Sequence, residues 1–211
     1  MSGNLADRLR LMKTCLIIPC YNEATRIPLA EYTHALQQDA FLQFVFVNDG
    51  SKDDTLERIK QWNKKEPRIK ALGLSRNFGK EAALTAGLHQ AYGKMVIPMD
   101  ADLQDSPDEI PSLYRKVMFE NFDLVSGWKK KRFDNTLTKN IPSKLFNAVA
   151  RKSSGIQLND FNCGLKAYKN KVVKSIEVYG EMHRYIPILA KGSGYKKIGE
   201  KVVEHRARKY G

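Results

Sequence analysis

The stretch Met95 to Asp105, MVIPMDADLQD, decides how the rest of the chain reads. It opens with a short apolar run, Met95 to Met99, of the length expected for a buried strand, and then turns abruptly to the carboxylates Asp100, Asp102 and Asp105. If the backbone stays extended from Asp100 to Asp102, both side chains leave on the same side, because side-chain direction in a strand repeats every two residues. Two hard oxygen ligands then stand together. Such a pair suits Mg2+ or Mn2+, which take carboxylate and water ligands and keep positions open for substrate phosphates. Taken alone, an Asp-x-Asp is more often a solvated acidic loop than a metal site, so the surrounding sequence has to decide.

A chain of 211 residues with 42% hydrophobic residues can bury the core of one sizeable domain. No apolar run reaches the roughly 18 residues of a membrane span, and the opening MSGNLADRLRLMK lacks the apolar centre of a signal peptide. Cys15, Cys20 and Cys163 are scattered without metal-site spacing, and an odd count argues against a disulfide framework, so a reducing cytoplasm is expected. The net charge of +13 implies an anionic partner: nucleic acid, an acidic membrane face or a phosphorylated substrate. The charge is uneven. Lys129 to Arg132, Lys139, Lys144, Arg151 and Lys152 crowd one stretch, and His205, Arg206, Arg208 and Lys209 crowd the tail. Either cluster alone also fits a solvated basic face.

Read in order, Thr14 to Pro19 forms a strand ending at the turn Cys20 to Glu23, and a helix follows over Pro28 to Gln38. Gln43 to Asn48 is a second strand running into Asp49-Gly50-Ser51. Ser51 with Asp54 marks the start of a helix reaching about Lys64. Arg68 to Leu74 is a third strand, and the polar loop Ser75 to Lys80 opens a helix from about Glu81 to Tyr92, stopped by Gly93. After Met95 to Met99, Ser106, Pro107 and Glu109 predict a capping box and a helix to about Glu120, and Phe122 to Ser126 is a fifth strand. Strand and helix alternate with short connections, which predicts a layered α/β sheet, mostly parallel and Rossmann-like, with helices on both faces. Ligands of such sheets sit beyond the carboxyl ends of the strands, and the polar clusters Tyr21 to Glu23, Asp49 to Ser51, Arg76 to Lys80 and Asp100 to Asp105 all lie there. Together they have the chemistry of a nucleotide site. No G-x-G-x-x-G and no P-loop is present, which disfavours a dinucleotide cofactor or a P-loop NTPase.

Beyond Lys129 the pattern changes. Lys139 to Lys152 spaces Ile141, Leu145, Phe146 and Val149 as a basic amphipathic helix; a Gly turn at Asp160 to Gly164 leads into a strand-like run; Glu181 to Lys191 is a second helical stretch; and Ile198 to Val203 is a last strand. A lone histidine such as His183 is by default structural.

IIPCYNE (Ile17 to Glu23), VNDGSKDDT (Val47 to Thr55), SRNFGKEAAL (Ser75 to Leu84) and MDADLQDSPDEI (Met99 to Ile110), taken together, resemble the family 2 glycosyltransferases, and among them the polyprenyl-phosphate glycosyltransferases. NIPSKLFN, DFNCGLKAY, EMHRYIPILA and VVEHRARKYG resemble the same group. The resemblance implies a GT-A fold, with an N-terminal extension over 1–13 and one catalytic domain over 14–211, divided into a nucleotide-sugar half (14–127) and an acceptor half with a basic tail (128–211). It implies that Pro19, Tyr21, Glu23, Asp49, Asn77 and Lys80 surround the donor nucleotide, that Asp100 and Asp102 serve its diphosphate, and that Asp102, Asp100 and Gln104 hold Mg2+ or Mn2+. For the acceptor phosphate it implies Lys129, Lys139, Ser143, Lys144 and Lys166, with Asn147 completing the pattern; Lys139 and Lys144 stand where the family carries Arg, and Lys is a point charge where Arg is bidentate. Asp160 is assigned to acceptor chemistry as a base or an orienting acid, alongside Asp100 as a catalytic group.

The expected reaction is inverting, metal-dependent transfer of a hexose from a UDP- or GDP-linked donor to a polyprenyl phosphate. The expected place is the cytoplasmic face of an anionic membrane, in a protein that continues into transmembrane helices; a homo-oligomer is compatible with this. Two other readings stay open: extension of a saccharide hydroxyl, which needs a better-defined general base, and a basic nucleic-acid-binding protein, which lacks a recognised motif and whose strand-end acids would repel a phosphate backbone.

Overall fold

The structure, a computed structural model, describes residues 14–24, 27, 32, 42–102, 104–130, 137–178 and 180–204. Strands β1 (Thr14–Cys20), β2 (Leu42–Asn48), β3 (Ile69–Gly73), β4 (Met95–Pro98), β5 (Leu124–Trp128), β6 (Lys166–Lys169) and β7 (Ile198–Val202) form one sheet in the order β3-β2-β1-β4-β6-β5-β7. The pairs β1 with β2, β1 with β4, β2 with β3 and β5 with β7 are parallel; β6 is antiparallel to both its neighbours. The mostly parallel sheet is as the sequence predicts. Insertion of β6 between β4 and β5 is not, because a four-residue strand announces no partner.

Alternation along β1 shows why the sheet is covered twice. Leu16 and Ile18 join Phe44, Phe46, Met95 and Ile97 in the core on one face, while Cys15 and Ile17 join Val45, Val47 and Val96 on the other. Helix α1 (Thr55–Lys65) contributes Ile59 to the first core, and α2 (Lys80–Gln90) contributes Ala83, Leu84 and Leu88 to the second. Gly87 of α2 lies so close to Ile17 that a Cβ there would collide with its side chain, so the helix rides directly on the central strand. The three cysteines are free and buried, and burial pushes the Cys15 thiol up to about 11 and Cys163 to about 12. They are apolar filling rather than nucleophiles.

Several predicted helix starts differ in detail. Helix α1 begins at Thr55, and Ser51 does not cap it; its hydroxyl instead accepts from Asn22 N at 3.0 Å. Ser106 does cap, accepting from Asp108 N at 3.3 Å, but Glu109 does not complete a capping box. Its carboxylate is drawn to Lys201 and to Glu204 N, because the β7 region packs beside it. The helix that follows is α3 (Ile110–Tyr114), loosened into a π-type turn over Arg115–Phe119, and β5 starts at Leu124 rather than Phe122. The basic helix is present as α4 (Leu137–Ser154), followed later by the unexpected short α5 (Asn170–Lys174), a 3-10 turn over Gly180–Tyr185 and α6 (Ile186–Gly192). The helix expected over Pro28 to Gln38 lies outside the described residues except for Tyr32, which is buried edge-on against Phe44 and Phe46. The N-terminal extension and the basic tail from His205 also lie outside them.

Candidate active site

The chain passes from β1 through β2 to β3 on one side of the sheet and returns to β4 on the other side of β1. The crevice of such a sheet opens at this switch, beyond Cys20 and Pro98. A cavity of about 350 Å³ lies there. Pro19, Tyr21 and Glu23 wall it from the end of β1, Asp49 from β2, Asn77 and Lys80 from the β3–α2 loop, and Asp100 and Asp102 from β4. All eight residues expected around the donor are therefore brought together.

The loops that carry them are tied to one another. Asn22, at a φ of 53°, accepts from Lys52 N at 2.9 Å; Glu23 N donates to the Thr55 hydroxyl at 2.9 Å, and Ala24 N to Asp53 Oδ2 at 3.1 Å. Burial opposes the Asp53 charge, but the Thr55 hydroxyl and the Ala24 and Thr55 N–H groups outweigh it and hold its carboxyl below the usual range. Asp49 is buried and accepts from Phe78 N and Gly79 N, each at 2.8 Å, so its carboxylate pins the β3–α2 loop. Gly50, at a φ of 63°, permits this approach, since a Cβ there would collide with the backbone of Arg76 and Asn77.

A second cavity of about 240 Å³ shares Pro19, Lys80 and Asp100 with the first. Gln104, Lys129 and Lys166 line it, with Glu81, Asn162, Gly164 and His183. Lys129 Nζ sits 2.7 Å from the buried Asp105 carboxylate; burial alone would depress its pKa, but Asp105 holds it above the ordinary value. The third acid of MVIPMDADLQD thus turns inward. Lys166 is buried with its ammonium on the Cys163 carbonyl, and burial, only partly opposed by Cys163, Asp160 and Asp105, pulls its pKa down. A cation so poorly hydrated gains when an anion enters beside it.

Asp160 is buried and is not among the residues lining either cavity; its Oδ1 accepts from Asn162 N at 3.0 Å, and Asn162 reaches the wall. Asn147 likewise acts inside, accepting from Phe161 N at 3.2 Å. Lys139, Ser143 and Lys144 lie on α4, but their side chains fall outside the described residues. Sequence reasoning missed Glu81 and His183, whose Oε2 and Nδ1 lie 2.6 Å apart on the second wall. Only Glu81's place beside Lys80 hinted at it.

Asp100, Asp102 and the Gln104 amide offer hard oxygen atoms of the kind Mg2+ or Mn2+ takes, Asp100 and Asp102 on the first cavity and Asp100 and Gln104 on the second. Asp100 Oδ1 is held 2.6 Å from Lys80 Nζ, and Asp102 Oδ1 accepts from Gln104 N at 3.1 Å. Among the described residues no group of three or more His, Cys, Asp or Glu side chains encloses a metal. A cation here would complete its shell with water and substrate phosphate.

The sequence pattern of glycosyl transferase family 2 matches residues 15–177, most of the chain. The chain belongs to this family. It is 34% identical over 210 residues to a dodecaprenyl-phosphate galacturonate synthase of Rhizobium johnstonii, covering 97% of this chain and 62% of the relative. It is 36% identical over 200 residues to an undecaprenyl-phosphate 4-deoxy-4-formamido-L-arabinose transferase of Pseudomonas syringae, covering 93% of this chain and 58% of the relative. The chain thus spans about three fifths of the length of these family members. Among solved structures it superposes on glucosyl-3-phosphoglycerate synthase of Mycobacterium tuberculosis with a TM-score of 0.71 at 17% identity, covering 100% of this chain and 78% of that one. A mannosyltransferase of Pyrobaculum calidifontis, in complex with GDP-Man and Mn2+, gives a TM-score of 0.62 at 21% identity, covering 90% and 55%. These likenesses give the family 2 chain a GT-A fold.

Proposed function

We propose that this chain transfers a glycosyl group from a nucleoside diphosphate sugar to a polyprenyl phosphate at an anionic membrane face, with inversion. One observation carries the reading: eight donor-type residues from four strand ends wall one cavity, and a second cavity with Lys129 and Lys166 joins it at Lys80 and Asp100. The names of both curated relatives, which put a sugar on a polyprenyl phosphate, support the same acceptor class.

In this reading Tyr21, Glu23, Asp49 and Asn77 hold the nucleotide, and Lys80 lies where the diphosphate meets the acceptor. A Mg2+ or Mn2+ ion held by Asp100, Asp102 and Gln104 would neutralise charge on the departing diphosphate. Lys166 and Lys129 hold the acceptor phosphate, with Lys139, Ser143 and Lys144 of α4 as further contacts. The phosphate has a second pKa of about 6, so its oxygen is already ionised near neutral pH and needs no strong base. That oxygen forms the new bond to the anomeric carbon as the bond to the diphosphate breaks, and the nucleoside diphosphate leaves with the electron pair. Asp160 acts through Asn162 and Lys166, as a positioning residue rather than a base.

Thermal-shift screening of UDP-, GDP- and dTDP-sugars with and without Mn2+ identifies the donor, and transfer of its radiolabel to undecaprenyl phosphate tests the reaction. Stabilisation by no nucleotide sugar, or label entering no lipid, would refute it. Asp160→Asn should lower kcat well below wild type while leaving the donor-induced shift intact; unchanged turnover removes Asp160 from the site.

The Glu81–His183 pair favours one second reading, transfer to a saccharide hydroxyl, since a carboxylate-held imidazole is a suitable general base. Label in oligosaccharide, with that transfer lost in His183→Gln while the donor-induced thermal shift remains, would select it.

A further inference from the structure

Between α4 and β6 the chain crosses the molecule without regular structure, and this connection delivers Asn162 and Lys166 to the second cavity. No ladder serves the backbone N–H groups of 159–162, so side chains must take them. Asn159 N and Asp160 N both donate to Glu200 Oε1, at 2.8 and 3.0 Å, and the Asn159 side-chain amide donates to Glu200 Oε2 at 2.7 Å. Phe161 N donates to Asn147 Oδ1 at 3.2 Å and Asn162 N to Asp160 Oδ1 at 3.0 Å, while the Asp160 carbonyl accepts from the buried Ser126 hydroxyl at 3.1 Å. Four successive N–H groups are thus met by side chains, and Glu200 takes two of them and an amide besides.

We propose that Glu200 of β7 is a positioning residue of the acceptor site, whose carboxylate fixes where the 159–162 segment places Asn162 and Lys166 for the acceptor phosphate. The inference rests on the proposed reaction. Three other elements reach this segment: Ser126 from β5, Asn147 from α4 and Glu200 from β7. Glu200 is the ion among them, and a charge-assisted hydrogen bond is roughly twice as strong as a neutral one. Its two oxygens also divide the task. One is shared by successive peptide N–H groups and the other holds the Asn159 amide, so the bend into the cavity is fixed in direction as well as in place. The strand that carries Glu200 is itself seated: Ile198, two residues earlier and on the same side, packs with Phe146 and Phe161 in the small core under the segment.

The test is radiolabel transfer to undecaprenyl phosphate by the purified chain, with KM measured for donor and acceptor separately. Glu200→Ala should lower kcat on the order of a hundredfold and raise the acceptor KM, because a small misplacement of binding groups is that costly, and should leave the donor KM and the donor-induced thermal shift unchanged. Asp123→Ala is the comparison for stability alone. It removes the bonds to Lys169 Nζ and Lys197 N at the far end of the sheet, at 3.0 and 3.2 Å, and should lower Tm as Glu200→Ala does while keeping kcat. Glu200→Gln keeps an oxygen for the two peptide N–H groups but sets its amide against the Asn159 amide, donor against donor. Adding Asn159→Asp exchanges donor and acceptor across that bond and should restore kcat to within about threefold of wild type. If Glu200→Ala does not fold, this pair carries the comparison. Turnover by Glu200→Ala equal to that of Asp123→Ala overturns the proposal, as does a donor KM that rises as far as the acceptor KM. So does a double variant no faster than Glu200→Gln. A wild type that labels no lipid removes the reaction itself, and the role of Glu200 with it.

Discussion

The two cavities meet at Lys80 and Asp100 but are built by different means. The first is walled by loops at the ends of parallel strands, tied across by Asn22, Ser51, Asp53 and Thr55, and its acids Asp100 and Asp102 remain on the wall. The second draws on an antiparallel strand, a 3-10 turn and buried lysines whose charges are set by Asp105, Asp160 and Cys163. The first site is held by backbone geometry, the second by burial, so the same kind of substitution should act differently in each.

The largest expected effect is at the carboxylate pair. Asp102→Asn should lower kcat/KM by about a thousandfold, the scale of losing a main electrostatic stabiliser of a leaving group, and should abolish the Mn2+-dependent part of the donor's thermal shift. Turnover near wild type would dissolve the distinction between the cavities.

Lys166→Met comes next, with opposite signs for activity and stability. Transfer should fall on the order of a hundredfold, while Tm without ligand should hold or rise, because a buried cation has been exchanged for an apolar chain of similar length. The pH dependence follows from its lowered pKa. Below both the folded and the ordinary value the penalty is fully present; between them the unfolded chain binds more protons, so wild-type stability gains as pH rises through that window. The margin by which Lys166→Met exceeds wild type should therefore shrink as urea melts are moved from neutral to alkaline pH, and a constant margin would contradict it.

Asp49→Ala should weaken the donor cavity through its loop. Two charge-assisted bonds from Phe78 N and Gly79 N are lost, at about 1.5–3 kcal/mol each, which should appear as a lower Tm and a higher donor KM with less change in kcat. Ser51→Ala is the smallest: it removes one exposed bond to Asn22 N, about 0.5–1.5 kcal/mol, and a chemical melt should show a shift of that size.

The donor half was legible because β1, β2 and β4 are continuous apolar runs, and each spills its polar residues at the edge where parallel strands must all end. Local signals failed where a distant partner competed for a side chain. Ser51 reads as a cap but is taken by Asn22, and Glu109 reads as half of a capping box but is taken by Lys201. Glu81 and His183, far apart in sequence, carry no mark that they will meet.

The sequence by itself determined where the apolar strands β1 to β5 run and the acids at the end of β4, because a strand's period of two and its apolar length are local properties. Only the tertiary structure decided that Asp105 turns inward to Lys129 while Asp100 and Asp102 stay on the cavity wall, that Lys166 is buried, and that α4 shows an apolar face to solvent. Burial of a charge depends on whether an opposite charge or a carbonyl from elsewhere in the chain arrives beside it, and no local pattern encodes that arrival.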